Sequence, residues 1–268
     1  MKCPVCESDL SREIGNLRTV KLYFCKRCKS NFLEDELIES DFYSENYFNE
    51  TYSDAYGKSY IDDEANIRNF SKRRLNIIKK LIRKKENISL LDIGCALGFF
   101  CDEAKRMGFI SKGVEISKHA RDFAEKNFGI ECFKDISSIR EKFDCITIWF
   151  TLEHLSQPLE VLQQISSMLN EEGIIALSLP NGYGGFFRFN RKGYLKKRPV
   201  EHIFEPSIKG IKHLLDRTGF KIERLEIFGL HPERFGLKDC KLTRNIQRLL
   251  KLGDTFEVYA RKLKPIFD

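Results

Sequence analysis

Three groups of residues in this sequence have the types and spacing that chemistry needs. The first is Cys3-Pro4-Val5-Cys6 and Cys25-Lys26-Arg27-Cys28, separated by 18 residues. A C-x-x-C turn lets two thiolates face one ion, and two such turns complete a tetrahedron. The spacing predicts zinc at Cys3, Cys6, Cys25 and Cys28, with no place left for water, so a structural ion. The second group lies in Leu90–Phe100, read L-L-D-I-G-C-A-L-G-F-F. Ser89–Ile93 is a short apolar run suited to a buried parallel strand. It ends on a carboxylate and a glycine, Asp92 and Gly94; Gly98 follows, and Phe99–Met107 has a helical pattern. A strand, a tight glycine loop and a helix bring backbone N–H groups and a helix N-terminus close to a ligand. Gly94-x-Ala96-x-x-Phe99 fails the nicotinamide-loop pattern at two of its three glycines. The third group is two Glu-His pairs, Glu153-His154 and Glu201-His202. A histidine beside a carboxylate is a usable general base near neutral pH.

The second group resembles motif I of the class I S-adenosylmethionine-dependent methyltransferases, D/E-x-G-x-G-x-G. Asp92, Gly94 and Gly98 match it, and Ala96 stands where the middle glycine would be. Ser111–Ile116 resembles that fold's second strand, ending on Glu115, 17 residues after Gly98. The resemblance implies that Glu115 accepts from the ribose hydroxyls and that Asp135, after a short strand at Ile130–Phe133, takes the adenine amino group. Asp92, Gly94, Cys95, Ala96, Gly98, Glu115, Ile116, Asp135 and Phe150 are the implied cofactor residues. Leu152-Glu153-His154-Leu155 follows the strand Phe143–Phe150, at the strand end where open α/β sheets bind ligands. Glu201-His202, with Phe204 and Ser207, resembles the E-H-x-x-y-F/S stretch of sugar C-methyltransferases, where the pair lies at the substrate. His202, Glu201 and His154 are therefore the catalytic candidates.

The elements that must position these residues can be read in order. Residues 1–38 make a zinc-ribbon module too small to hold a core without its ion, with a strand over Leu17–Phe24. Residues 39–88 are a connector and an entry helix over Asn66–Lys85. Phe42–Tyr60 carries five tyrosines and two phenylalanines, and it resembles the segment before the core in zinc-knuckle methyltransferases. Tyr52 and Tyr56 are candidate pocket residues, as is Glu153. Residues 89–268 then follow the order of a seven-stranded, doubly wound, Rossmann-like α/β methyltransferase sheet. Ser117 and Ser207 cap helices, Gly173 separates a helix from a fifth strand at Ile174–Leu179, and two late strands flank a basic helix near Lys241–Lys251. Pro180–Pro199 reads as a long lid. Its cations, among them Lys196, Lys197 and Arg198, could clamp a diphosphate or a nucleic-acid backbone.

Composition bounds the rest. The 268-residue chain is 42% hydrophobic and 12% aromatic, as a packed globule is. No run of 18 apolar residues exists, and the first residues do not read as a signal peptide. Nine cysteines, an odd number, fit a metal site plus thiols in a reducing, cytoplasmic setting. The net charge is +7, but Phe186–Asp268 holds 20 Lys/Arg against 10 Asp/Glu, hence +10 there. An anionic partner is expected on that side. The expected activity is methyl transfer to a small anionic acceptor, such as a nucleotide-linked sugar or surface-glycan precursor. RNA methylation and a catalytically idle zinc-dependent binding module are the alternatives.

Overall fold

The computed structural model describes residues 1–34, 52–53, 57–84, 86–232 and 238–264. The seven-stranded sheet is flanked by helices and has the strand order Phe220–Phe228, Thr255–Lys262, Leu169–Pro180, Phe143–Trp149, Ile88–Ile93, Phe109–Val114, Cys132–Phe133. The chain divides into two compact units, residues 1–38, 149–166 and 177–263 in one, and 39–148, 167–176 and 264–268 in the other.

The second unit carries the parallel strands. Helix α1 (Glu64–Leu81) leads into β4 (Ile88–Ile93), α2 (Phe99–Arg106), β5 (Phe109–Val114), α3 (Lys118–Phe128) and β6 (Cys132–Phe133). Strand β7 (Phe143–Trp149) then returns to the far side of β4. β4 is parallel to both β5 and β7, so its carboxyl end is the topological switch point. Leu90, Leu91, Ile146 and Ile148 are fully buried, as the unbroken apolar runs require. Leu97, Phe99 and Ala120 form a cluster with Tyr60, Ile67, Phe123 and Phe128. Arg68 fastens α1 to α2 by reaching Asp102 at 2.8 Å.

The first unit begins with a hairpin of β1 (Ser11–Leu17) and β2 (Val20–Cys25). The single strand expected over Leu17–Phe24 is thus two, because Arg18 takes a left-handed φ of 51° and turns the chain. β2 pairs with β3 (Asn31–Leu33), which pairs antiparallel with β9 (Phe204–Glu205). The ribbon sheet therefore ends on a strand from far along the sequence. The α4 helix (Pro158–Met168) precedes β8 (Leu169–Pro180), a 12-residue strand with Gly173 inside it rather than before it. The expected lid is two short helices, α5 (Gly185–Phe189) and α6 (Arg191–Lys197). They are held by burying Phe187 and Tyr194 in a cluster with Leu17, Leu22, Phe24 and Leu33. Helix α7 (Ile208–Arg217) starts at Ser207, whose hydroxyl accepts from Gly210 N at 2.9 Å. β10 (Phe220–Phe228) and β11 (Thr255–Lys262) form an antiparallel pair, with α8 (Lys241–Leu249) between them in sequence.

Candidate functional site

The loop after β4 in the second unit is tight because three residues in five take left-handed backbone: Gly94 at φ 78°, Ala96 at 49° and Gly98 at 84°. At Gly98 a Cβ would stand 2.7 Å from the Cβ of Ala124, so only glycine lets α2 pack on α3 there. Asp92 is 2% exposed, and its Oδ1 accepts from Thr147 Oγ1 at 2.6 Å, its neighbour across the ladder. Burial pushes Asp92 up to about 7, against the pull of that hydrogen bond and of Arg74. Glu115 stands just past β5, buried. Its Oε2 accepts from Ala96 N at 3.0 Å and its Oε1 from Ser117 N at 2.9 Å. Burial raises its pKa, against those two N–H groups. A carboxylate has about four acceptor positions, and those the backbone N–H groups leave open are of the kind a vicinal diol donates to. The donor set fits S-adenosylmethionine.

Ile116 lies beside Glu115 and is exposed, while Cys95 is buried with its Sγ 3.8 Å from Cys132 Sγ. Asp135 is exposed past β6, its Oδ1 accepting from Ser137 N at 2.8 Å. The Ser137 hydroxyl, and after it that bond, hold its pKa below the usual carboxylate value. Tyr52 donates to Asp63 Oδ2 at 2.8 Å and stands edge-on to Tyr60, which stacks on Phe99. Tyr56 lies outside the described residues. Phe150, the last implied cofactor residue, belongs to the first unit, exposed and at φ 53°.

The first unit brings the Glu-His pairs together. One ligand atom each of Glu153, His154 and His202 lie within 4.8 Å of one another, and the two imidazole rings are 5.0 Å apart. His154 Nδ1 lies 2.9 Å from the backbone oxygen of Glu201. Burial, then the charge of His202, pull His154 down to about 4, so it is neutral at physiological pH. Glu153 is fully buried, and neither of its carboxylate oxygens has a hydrogen-bond partner among the described residues. Burial pushes it up to about 7, against the pull of His202.

The carboxylate on His202 is Glu205, not the adjacent Glu201. His202 Nδ1 meets Glu205 Oε1 at 2.8 Å. Burial works to lower the His202 pKa, but the hydrogen bond and charge of Glu205 outweigh it and the net shift is upward. Glu205 in turn accepts from Tyr194 Oη at 2.5 Å, and Arg198 Nε stands 3.7 Å from it. Burial opposes ionisation of Glu205, yet Arg198 and His202 bring it down to about 2. Asn31 Nδ2 donates to Tyr194 Oη at 3.2 Å. A chain of contacts thus runs from the ribbon strand β3 to the His202 ring. Arg198, expected in an exposed clamp, is instead buried beside Glu205; Lys196 and Lys197 are exposed. Sequence reasoning missed Asn31, Tyr194 and Glu205 as site residues. Asn31 carries no local signal, whereas Tyr194 and Glu205 lie within the two stretches already singled out.

The four ribbon cysteines are buried, with Cys3–Cys28 and Cys6–Cys25 Sγ separations of 3.6 Å and all four sulfurs within 4.8 Å. Thiolates about 2.3 Å from one ion at tetrahedral angles stand about 3.8 Å apart, so the set fits zinc.

Residues 65–225 match a family model described as a methyltransferase domain. The ubiquinone biosynthesis O-methyltransferase of Glaesserella parasuis serovar 5 (strain SH0165) is 29% identical over 160 residues. That match covers 53% of this chain and 68% of the relative. The mitochondrial enzyme of the same description from Saccharomyces cerevisiae is 29% identical, covering 42% of this chain and 40% of that one. The chain therefore spans about two thirds of the first relative's length and under half of the second's. Among solved structures, an S-adenosylmethionine-dependent methyltransferase from Archaeoglobus fulgidus superposes with a TM-score of 0.56 at 20% identity. It covers 76% of this chain and 99% of that one. Magnesium protoporphyrin IX methyltransferase from Synechocystis PCC 6803, solved with SAH, gives 0.55 at 14% identity, over 81% and 97%.

Proposed function

The chain belongs to the methyltransferase domain family and is an S-adenosylmethionine-dependent methyltransferase; from that premise we propose that it methylates a small acceptor bearing an anionic handle, such as a nucleotide-linked sugar or a surface-glycan precursor. The bound donor supplies a methyl group made electrophilic by its sulfonium. Asp92, Gly94, Cys95, Ala96, Gly98, Glu115, Ile116 and Asp135 would hold that donor. The chain must then place an acceptor in line with the S–CH₃ bond and take its proton. The observation that carries this role is the His202–Glu205 contact at 2.8 Å. That contact favours Nδ1 as the protonated nitrogen, which leaves the lone pair on Nε2 to take the acceptor's proton. Glu205 balances the imidazolium that results, as does Glu153, whose carboxylate also offers hydrogen-bond acceptors to a substrate hydroxyl. Lys196 and Lys197 hold the anionic handle, and zinc on the four ribbon cysteines is structural. The ubiquinone-pathway relatives favour oxygen as the atom methylated.

Two measurements test this reading. Calorimetry should show S-adenosylmethionine binding that Glu115→Ala weakens by about 1.5–3 kcal/mol, as for lost charged hydrogen bonds. Unchanged affinity removes Glu115 from the site. Incubation with extracts of anionic small molecules should yield a product heavier by one CH₂, and replacing Lys196 and Lys197 by Ala should raise its KM. Methylation confined to RNA, with a steep salt dependence, would overturn the choice of acceptor.

A further inference from the structure

Helix α8 carries features that neither methyl transfer nor the fold uses. Its segment Cys240–Leu252, C-K-L-T-R-N-I-Q-R-L-L-K-L, has four cations and no carboxylate. Four large aliphatic side chains are exposed on it: Leu242 at 68%, Ile246 at 45%, Leu249 at 81% and Leu250 at 55%. At 100° per residue Leu242, Ile246 and Leu249 fall within about 60° of one another, a continuous stripe. The side that faces the protein lies elsewhere on the helix. Gln247 is 2% exposed, with its carbonyl accepting from Leu252 N at 2.8 Å. Asn245, nearly opposite Gln247 around the helix, points outward. The outward surface therefore meets the aliphatic stripe on one flank and Lys241 and Arg248 on the other.

We infer that α8 docks the protein on an anionic phospholipid surface. A narrow apolar stripe beside cations is what an interfacial helix needs, because apolar side chains enter the acyl boundary while Lys and Arg meet headgroup phosphates. An apolar pit in a partner protein would give Lys241 and Arg248 no counter-charge, since Asp239, the acid just before the helix, is held by Arg244 Nε at 2.6 Å. No helix among the described residues is long and apolar enough to cross a membrane, so the contact is peripheral. The inference rests on α8 alone and stands whichever acceptor the enzyme uses.

Sedimentation of the full chain with vesicles tests it. Vesicles of phosphatidylcholine mixed with phosphatidylglycerol should carry the protein down, and phosphatidylcholine alone should carry about tenfold less or lower. Leu242→Asp/Leu249→Asp and Lys241→Glu/Arg248→Glu should each abolish the difference, and both doubles should still bind S-adenosylmethionine, because all four positions are exposed. Added salt should weaken binding. Protein that stays in the supernatant with anionic vesicles overturns the inference, as does equal sedimentation of the aspartate double variant. So does a dimer in light scattering that Leu249→Asp converts to a monomer, or capture of the wild-type helix by an acidic protein in place of vesicles.

Discussion

At the scale of single residues the proposed base carries a pH dependence. His202 must be deprotonated to act as a base, and its pKa is raised above 6.5 by Glu205. Activity should therefore rise with pH through a value above 6.5. Glu205→Gln removes the raising charge, so the limb should move to lower pH while turnover falls. Glu153, close to His202, is pushed up to about 7 and its titration is coupled to that of the ring, so Glu153→Gln should simplify the profile to one limb. His202→Ala should lower turnover by about 10²–10⁴-fold without changing donor affinity, and His154→Ala should cost less. A profile unmoved by Glu205→Gln would exclude the pair. Stability carries the same signature with a definite sign. Glu205 is depressed from 4.5 to about 2, so its contribution is complete above pH 4.5 and is lost as pH falls towards 2. The stability gap between wild type and Glu205→Gln should close over that window in chemical denaturation. His202 was legible in the sequence, but its partner was not. Adjacency favours Glu201, whereas the pairing of Phe204 and Glu205 with Phe32 and Asn31 of β3, 172 and 174 residues away in sequence, decides which carboxylate reaches the ring.

At the scale of elements the strand, loop and helix from Ile88 to Arg106 were legible, because apolar run, carboxylate and glycines all act locally. The loop makes a strong prediction. Gly98→Ala would impose a left-handed φ of 84° on a residue with a Cβ, at about 1–2 kcal/mol, and drive that Cβ against Ala124. Overpacking adds about 1–3 kcal/mol. The variant should unfold at lower denaturant and lose donor affinity together. Gly108→Ala meets nothing within 4 Å, so it should show only the backbone part, which makes it the control. The stretch from Pro180 to Pro199 shows where local reading stops. Glycine and aromatic content suggests a lid, yet α5 and α6 form because Phe187 stacks on Phe24 at 5.4 Å and Tyr194 packs against Phe187. Helices of five and seven residues are marginal by themselves, and non-local packing supplies their stability.

At the scale of the molecule the cysteine ribbon is tied to the turn that carries His202, although its spacing alone suggests an appendage. Ser207 donates from its hydroxyl to the Cys28 carbonyl at 2.5 Å and from its N–H to Ser30 Oγ at 3.2 Å. Asn31 lies opposite Glu205 in the β3–β9 pair and donates to Tyr194, which donates to Glu205. Every one of these groups belongs to the unit that holds His202, whereas the glycine loop and Glu115 belong to the other. Losing the ion should free the Cys28–Asn31 turn first, and with it the strand that presents Glu205. Chelation of one zinc per chain should therefore lower turnover and shift its pH limb downward, as Glu205→Gln does, while calorimetric affinity for S-adenosylmethionine persists. Asn31→Ala separates the two causes: it should keep the zinc, measured by elemental analysis, yet depress turnover in the same direction. Unchanged turnover in the fully chelated protein would show that the ribbon does not position the site. Chelation that abolishes donor binding as well would mean that the two units depend on the ion together.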